Sequence, residues 1–305
     1  MSETSGCFIN LEKIVGFFVF AFKMPTSIFA DVLPGPSIEV LEMKKKYDED
    51  PSTVKINLTV GGYKDEEGNS YILPVVKEVE AEILTEVGHS HEYLPALGMP
   101  EVNEAVVSLL LGSESEAVTS GRAIAVQSIG GTGPLRLGAE FLRQQLGCDA
   151  ARFSDPTWIN HRDILLKAGF TDVQPYPYLD YSSMTMDFDS LMKCMKRSKP
   201  RTVFILHAQA HNPSGLDPTE AQWRQICEVM KRGQLIPFFD CAYQGWASGD
   251  IERDAWAVRH FCDQGMEMMV SQSFGKVRAV ALSDERFIFA FVFRTSVFMV
   301  TGSDS

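Results

Sequence analysis

Nowhere in residues 1–305 do two cysteines stand two residues apart. The six lie at 7, 148, 194, 227, 241 and 262. This argues against a zinc site and against a disulfide framework, and leaves free thiols in a reducing compartment as the expectation. Apolar runs of bilayer length are missing as well. The early run IVGFFVFAF, 14–22, has nine residues. At about 1.5 Å per residue it reaches roughly half of a ~30 Å hydrocarbon core. It does not read as a signal peptide, because Glu3 and Glu12 precede it and Phe22-Lys23 follow where small residues are needed. An Arg-rich mitochondrial presequence is absent too, so the expected location is cytoplasmic rather than mitochondrial. Positive charge is scarce: 28 Lys and Arg against 40 Asp and Glu give a net charge of −12. That balance argues against nucleic acid and against an anionic membrane as partners. A local basic stretch, KCMKRSKPR at 193–201, reads as a solvated helix end.

Two nucleotide-binding signatures are also wanting. The glycine-rich turn IGGTGPLRLG at 129–138 is not G-x-G-x-x-G, since Arg136 occupies the place of the third glycine. Nor is it G-x-x-x-x-G-K-[ST]. A nicotinamide site and an ATPase loop are therefore disfavoured. What the turn does offer is a helix start with Pro134 in its first turn, where free backbone N–H groups and the helix dipole attract an anion. A plain tight turn would carry the same glycines.

With 305 residues, 45% of them apolar and 22% charged, the chain can build one large or two ordinary globular domains. No repeat or low-complexity linker divides residues 25–276. Short apolar runs of strand length alternate with amphipathic stretches: AIAVQS, then the helix after the glycine turn; RTVFILHA (201–208), then DPTEAQWRQICEVMKRGQ; LIPFFD (235–240), then IERDAWAVRHFCDQG (251–265); finally MEMMVSQSF. In the second helix Trp223, Ile226 and Met230 share a face, with Asp217 as the expected N-cap and Gly233 as the stop. Buried strand, helix, buried strand is the pattern of a parallel α/β sheet covered on both faces.

Ligands of such sheets sit outside the carboxyl ends of the strands. There the sequence puts Asn212, then Asp240 with Tyr243, then Lys276, with Trp158 elsewhere in DPTWINH. An amine, a carboxylate, an amide, a phenol and an anion seat are the groups pyridoxal phosphate requires. Taken singly, each has an ordinary structural explanation: a strand-end Asp caps a helix, and a Trp fills a core. His207 and His211 fall on a strand and a turn, which disfavours a metal pair, and no metal is expected. His89 and His91 read as solvated loop residues, and ASGDIERDAW as helix-start chemistry.

Seven stretches, in order, resemble the aspartate aminotransferases, class I enzymes of fold type I: VGGYKDEEG, HEYLPALGMPE, VQSIGGTGPLRLGAEFLR, DPTWINH, HAQAHNPSGLDPT, PFFDCAYQGWASGDIERDAWAVR and SQSFGK. The resemblance runs over roughly residues 25–276. It implies an α/β large domain with a mostly parallel sheet and helices on both faces. The implied activity is pyridoxal 5'-phosphate-dependent, ping-pong exchange of an amino group between L-aspartate/2-oxoglutarate and oxaloacetate/L-glutamate. By the same resemblance Lys276 is the Schiff-base lysine, Asp240 pairs with the pyridine nitrogen, and Asn212 and Tyr243 address the phenolic oxygen. Trp158 stacks on the ring and His161 supports Asp240 from behind. Gly130, Gly131, Thr132 and Ser273 fall where the family binds phosphate, Gly130 replacing a serine common there. Gly61 lies in the substrate loop, and Trp158 and Asn212 also face substrate. Tyr93 matches the tyrosine that reaches a neighbouring subunit's phosphate, which implies a homodimer.

Two departures stand out. Gly275 occupies the place of a serine before the lysine, and after Lys276 the family's second half, with its small domain and substrate-carboxylate arginines, does not follow. Arg286 lies two positions late for the family's phosphate arginine. The tail RFIFAFVFRTSVFMV is too broken for a membrane helix and reads as an aggregation-prone strand. The expected organisation is an atypical leader (1–23, unstructured or a helix), a large domain with an N-terminal arm (24–276) and a non-family tail (277–305). A chain of this kind is expected to be either an aminotransferase or a pyridoxal-phosphate-binding or partner-binding subunit without turnover.

Overall fold

The computed structural model describes residues 27–33, 39–57, 59, 64–69, 71–85, 92–275 and, as backbone, 295–300. The leader 1–23, His89, His91, Gly61, Lys276 and residues 277–294 lie outside the described residues. The chain divides into two compact units, 1–60 and 61–305. In the first, helix α1 (Glu39–Glu49) buries no side chain. Lys55 ties its end down by donating to the Tyr47 and Asp50 carbonyls at 2.6 Å each, with its ammonium 4.5 Å from the Tyr47 ring centroid.

In the second unit, α2 (Pro74–Thr85), α3 (Pro100–Leu111) and the short α4 (Glu116–Thr119) precede strand β1 (Ala123–Ser128). An alternating series follows: α5 (Thr132–Gln144), β2 (Ala150–Asp155), α6 (Asn160–Lys167) and β3 (Asp172–Pro177). Then come the small hairpin β4 (Leu179–Asp180) and β5 (Thr185–Met186), α7 (Phe188–Arg197), β6 (Val203–His207), α8 (Glu220–Gly233), β7 (Ile236–Cys241), α9 (Ile251–Asp263), β8 (Met268–Gln272) and β9 (Thr295–Val300). The main sheet has seven strands in the order β1-β9-β8-β7-β6-β2-β3. The ladders from β8 to β3 are parallel, while β9 runs antiparallel to both of its neighbours. No helix of the described residues is long and apolar enough to cross a membrane.

The parallel strands read as unbroken apolar runs because each face of the sheet meets a helical layer. Along β6 and β7, Phe204, Leu206 and Phe239 point into one core, packed with Leu110, Leu191, Trp223, Met230 and Phe261 from α3, α7, α8 and α9. Val203, Ile205 and Phe238 point the other way, into a core shared with Leu135, Ala139 and Leu142 of α5 and Leu165 of α6. Helix α5 lies close against this second face. A Cβ at Gly138 would stand 2.5 Å from Cζ of Phe238.

The helix limits differ in detail from the sequence expectation. Helix α8 is capped by Thr219, not Asp217: Thr219 Oγ1 accepts from the Gln222 N–H and the Gln222 side chain accepts from the Thr219 N–H, a reciprocal capping box. Pro218 separates Asp217 from the first turn, and the Asp217 carboxylate accepts instead from Ala210 and His211 N–H at 2.7 and 2.9 Å. Gly233 is the last helical residue, and the left-handed stop is Gln234, φ 51°. Asp250 does cap α9, accepting from Glu252 and Arg253 N–H at 2.8 and 3.1 Å.

The tail segment 295–300 is a strand, as its composition suggests, and it sits inside the sheet. β1 has no other strand partner among the described residues, so its attachment to the sheet runs through β9. Deleting residues 295–305 is therefore expected to lower the melting temperature and the steepness of the transition, measured by circular dichroism. Gly138→Ala is expected to cost about 1–3 kcal/mol by overpacking against Phe238, read from denaturant unfolding of the full chain.

Candidate active site

Three parallel strands end level with one another. His207 of β6 pairs in register with Asp240 of β7, and Asp240 with Ser271 of β8. The chain leaves each strand into a loop at this edge, and those loops line a cavity of about 200 Å3. Its wall includes Gly131, Thr132, Trp158, Asn212, Asp240, Tyr243 and Ser273 from the sequence expectation, together with Leu135, His207, Gln209, Ala242 and Gly275.

Asp240 is buried with 8% of its surface exposed. A carboxylate there needs partners, because an unpaired buried charge is costly. His161, fully buried at the start of α6, supplies one: its Nε2 lies 3.1 Å from Asp240 Oδ2. Nδ1 of the same ring lies 2.8 Å from Thr157 Oγ1. An ionised carboxylate only accepts, so this pairing calls for the hydrogen on Nε2, and the Thr157 hydroxyl, able to donate or accept, fits Nδ1 in either form of the ring. Trp158 packs edge-on to His161, ring centroids 5.4 Å apart, and also abuts the second core cluster. It is a core residue and a cavity residue at once.

The turn after β6 is built by His211. Its ring lies between Ser154 and Ser214, with nitrogens 2.8 and 2.7 Å from their hydroxyl oxygens, and stacks on Tyr178 at 3.8 Å. These contacts, with the Asp217 carboxylate on the backbone of 210–211, hold Asn212 at the cavity wall. On the opposite side β1 runs into Gly130, φ +53°, a left-handed conformation that favours glycine. Gly131 follows, and a Cβ there would meet Ser273 Oγ at 3.3 Å. The start of α5, the positive end of its helix dipole, thus faces the Ser273 hydroxyl across a narrow gap. Gly275 donates its N–H to the same hydroxyl at 3.3 Å.

His207, whose place on a strand disfavours a metal pair with His211, lines the cavity instead. Neither ring nitrogen has a hydrogen-bond partner among the described residues, although the side chain is buried. Burial, reinforced by His161 and His211, pushes its pKa well below the ordinary histidine value. His161, His207 and Asp240 each present a donor atom within 4.8 Å of the others. A protic or polar ligand fits this wall, which joins the start of α5, the buried Asp240 carboxylate and the His207 imidazole. Those are the donors and acceptors that pyridoxal phosphate calls for.

Tyr93, by contrast, is fully exposed and lines no part of the cavity. Gln209 and His207 are wall residues beyond the sequence expectation, and both lie in the HAQAHNPSG stretch. The available signal was position alone, just beyond or at a strand's carboxyl end.

Burial also depresses the His211 pKa to about 4, with His161 adding to the effect. An unfolded chain titrates its histidines near ~6.5. Between about pH 6.5 and 4 the unfolded state therefore binds more protons than the folded one, and stability falls as pH drops through that window. Expected is a melting temperature that declines from pH 7 to pH 5, with a shallower decline for His211→Gln, checked by differential scanning fluorimetry across that range.

Comparison with known proteins gives a consistent picture. The family model described as aminotransferase class I and II matches residues 53–283. A cytoplasmic aspartate aminotransferase of Caenorhabditis elegans is 46% identical over 250 residues, 82% of this chain and 61% of that protein. A mitochondrial aspartate aminotransferase of Gallus gallus is 40% identical, covering 82% of this chain and 59% of its own length. The chain thus spans about three fifths of the length of the curated relatives it matches. Among solved structures, an aromatic-amino-acid aminotransferase from Burkholderia pseudomallei, covalently bound to pyridoxal phosphate, superposes with a TM-score of 0.82 at 36% identity. It covers 91% of this chain and 66% of that one. A cytoplasmic aspartate aminotransferase of Giardia lamblia superposes at 0.81 with 36% identity, covering 90% and 64%.

Proposed function

The chain belongs to the aminotransferase class I and II family, and from that premise we propose that it binds pyridoxal 5'-phosphate in the cavity at the strand ends. We further propose that it exchanges amino groups between L-aspartate/2-oxoglutarate and oxaloacetate/L-glutamate. The observation that carries this reading is the buried Asp240 carboxylate, backed by His161 at 3.1 Å, opening into the same cavity as the start of α5.

Pyridoxal phosphate, when bound, supplies an electron sink that lets an amino group leave one carbon skeleton and join another. The residues have separable tasks. Asp240 would hold a proton on the pyridine nitrogen, with His161 and Thr157 keeping the carboxylate in place. The N–H groups of α5's first turn, with Gly130, Gly131, Thr132 and Ser273, would bind the phosphate. Asn212 and Tyr243 would donate to the phenolic oxygen, and Trp158 would cover one ring face and exclude water from it. Lys276 would be the attachment point and the base that moves the substrate proton at its Nζ. Gly61, Trp158 and Asn212 would meet the substrate.

Two further proposals rest on thinner support. A homodimer is favoured by Tyr93, whose ring stands wholly in solvent beside exposed Leu94 and Leu97. A cytoplasmic location is favoured by the named cytoplasmic relatives.

A second reading is a cofactor-binding chain without transfer. It is favoured by the cavity wall, which among the described residues includes no arginine or lysine to hold a substrate carboxylate. One experiment separates the two: visible absorption of the full chain with pyridoxal phosphate, before and after aspartate, beside Lys276→Ala. Expected is a band that Lys276→Ala loses and that aspartate displaces. A Lys276-dependent band indifferent to aspartate favours the second reading, and no Lys276-dependent band overturns both.

A further inference from the structure

Gln209 is the second residue past β6, and its side chain is 5% exposed at the cavity wall. Nothing in the proposed chemistry uses it. Its amide satisfies its neighbours when the oxygen is turned toward the loop that follows β7. Oε1 then accepts from the Tyr243 N–H at 3.1 Å and from the Gln244 N–H at 2.7 Å. Beside it the Cys241 thiol, whose pKa burial pushes up to about 12, stays protonated.

The loop it touches is anchored again further out. Gln244 donates from Nε2 to the Leu109 carbonyl at 3.0 Å, and its Oε1 accepts from Gln272 Nε2 at 2.6 Å. From the cavity wall to the end of α3, amides thus hold residues 241–244 at several points. The Tyr243 carbonyl accepts from the Trp246 and Ala247 N–H groups at 2.9 and 3.1 Å, and Gln209 takes the Tyr243 N–H from the cavity wall.

We propose that Gln209 is a positioning residue: its side-chain carbonyl clamps the backbone of Tyr243 and Gln244, and so sets where the Tyr243 hydroxyl stands in the cavity. An apolar side chain of similar size leaves both N–H groups without this acceptor, and asparagine is one methylene too short to reach them. The consequence for the cofactor rests on the pyridoxal-phosphate reading above. A Tyr243 hydroxyl that donates to the phenolic oxygen favours that oxygen's anionic form. Losing the donor raises the pH at which the bound chromophore changes its absorption.

The test compares the full chain with Gln209→Met, which keeps the size and removes the acceptor, and Gln209→Glu, which keeps an acceptor. The first readout needs no cofactor: amide hydrogen exchange at Tyr243 and Gln244. Expected is roughly five- to tenfold faster exchange at these two amides in Gln209→Met and parental exchange in Gln209→Glu. The second readout is the pH midpoint of the visible band with pyridoxal phosphate. It is expected to rise by on the order of half a unit in Gln209→Met and to return toward the parental value in Gln209→Glu.

Unchanged exchange in Gln209→Met overturns the clamp. Faster exchange with an unchanged midpoint overturns the positioning role. If the chain shows no visible band, the cofactor reading has failed, and exchange alone still decides the clamp. If Gln209→Met does not melt cooperatively, Gln209→Glu decides: parental exchange supports the clamp, and faster exchange at residues 243 and 244 overturns it.

Discussion

The candidate site depends first on the parallel register of β6, β7 and β8. Because a parallel ladder advances each strand in step with its neighbour, His207, Asp240 and Ser271 finish side by side. The backbone continues the alignment past the strands: Ala208 donates to the Asp240 carbonyl at 2.9 Å and Ser273 to the Cys241 carbonyl at 3.0 Å. A slip of one residue in either ladder would turn Asp240 from the cavity side into the opposite layer. Packing prevents such a slip. Phe238 and Phe239 are both fully buried, one in each core, and a slip that carried Asp240 into the place of Phe239 would bury a carboxylate among apolar side chains.

Around that frame the structure divides its labour by depth. The two apolar cores hold the strands between helices, and the polar groups gather where the strands stop. Several of those groups are buried, and each is dealt with differently. Asp240 has His161. His211 has two hydroxyls and the Tyr178 ring. His207 stays neutral without a hydrogen-bond partner among the described residues, an arrangement that costs stability unless a ligand meets it. Strained or under-satisfied groups of this kind are what a preorganised binding wall looks like from inside.

How far the chain's order could be read depended on burial. β6, β7 and β8 were legible because strands covered on both faces are continuous apolar runs. So were α8 and α9, whose buried residues recur at helical spacing. β2 and β3 carried no such signal. β2 mixes Arg152, Ser154 and Asp155 into its run, and β3 is an edge strand with Pro175 and Pro177, residues an edge tolerates because no further strand needs their N–H. The cap of α8 was misplaced by two residues, since Asp217 and Thr219 are equally good acceptors on paper. Only the fold shows that the turn at 210–211 claims the aspartate.

The sequence by itself determined the layer pattern, the family resemblance and the chemical types at the strand ends, because these follow from composition and order along the chain. The tertiary structure decided which of those residues share one wall. It brought Trp158, Asn212, Asp240, Tyr243 and Ser273 to one cavity, left Tyr93 in solvent, added His207 and Gln209, and placed the strand 295–300 between β1 and β8. Such choices rest on contacts between residues far apart in sequence. Gln209 and the backbone of Tyr243 are an example: no local periodicity encodes them, and only the packed sheet brings them within hydrogen-bonding distance.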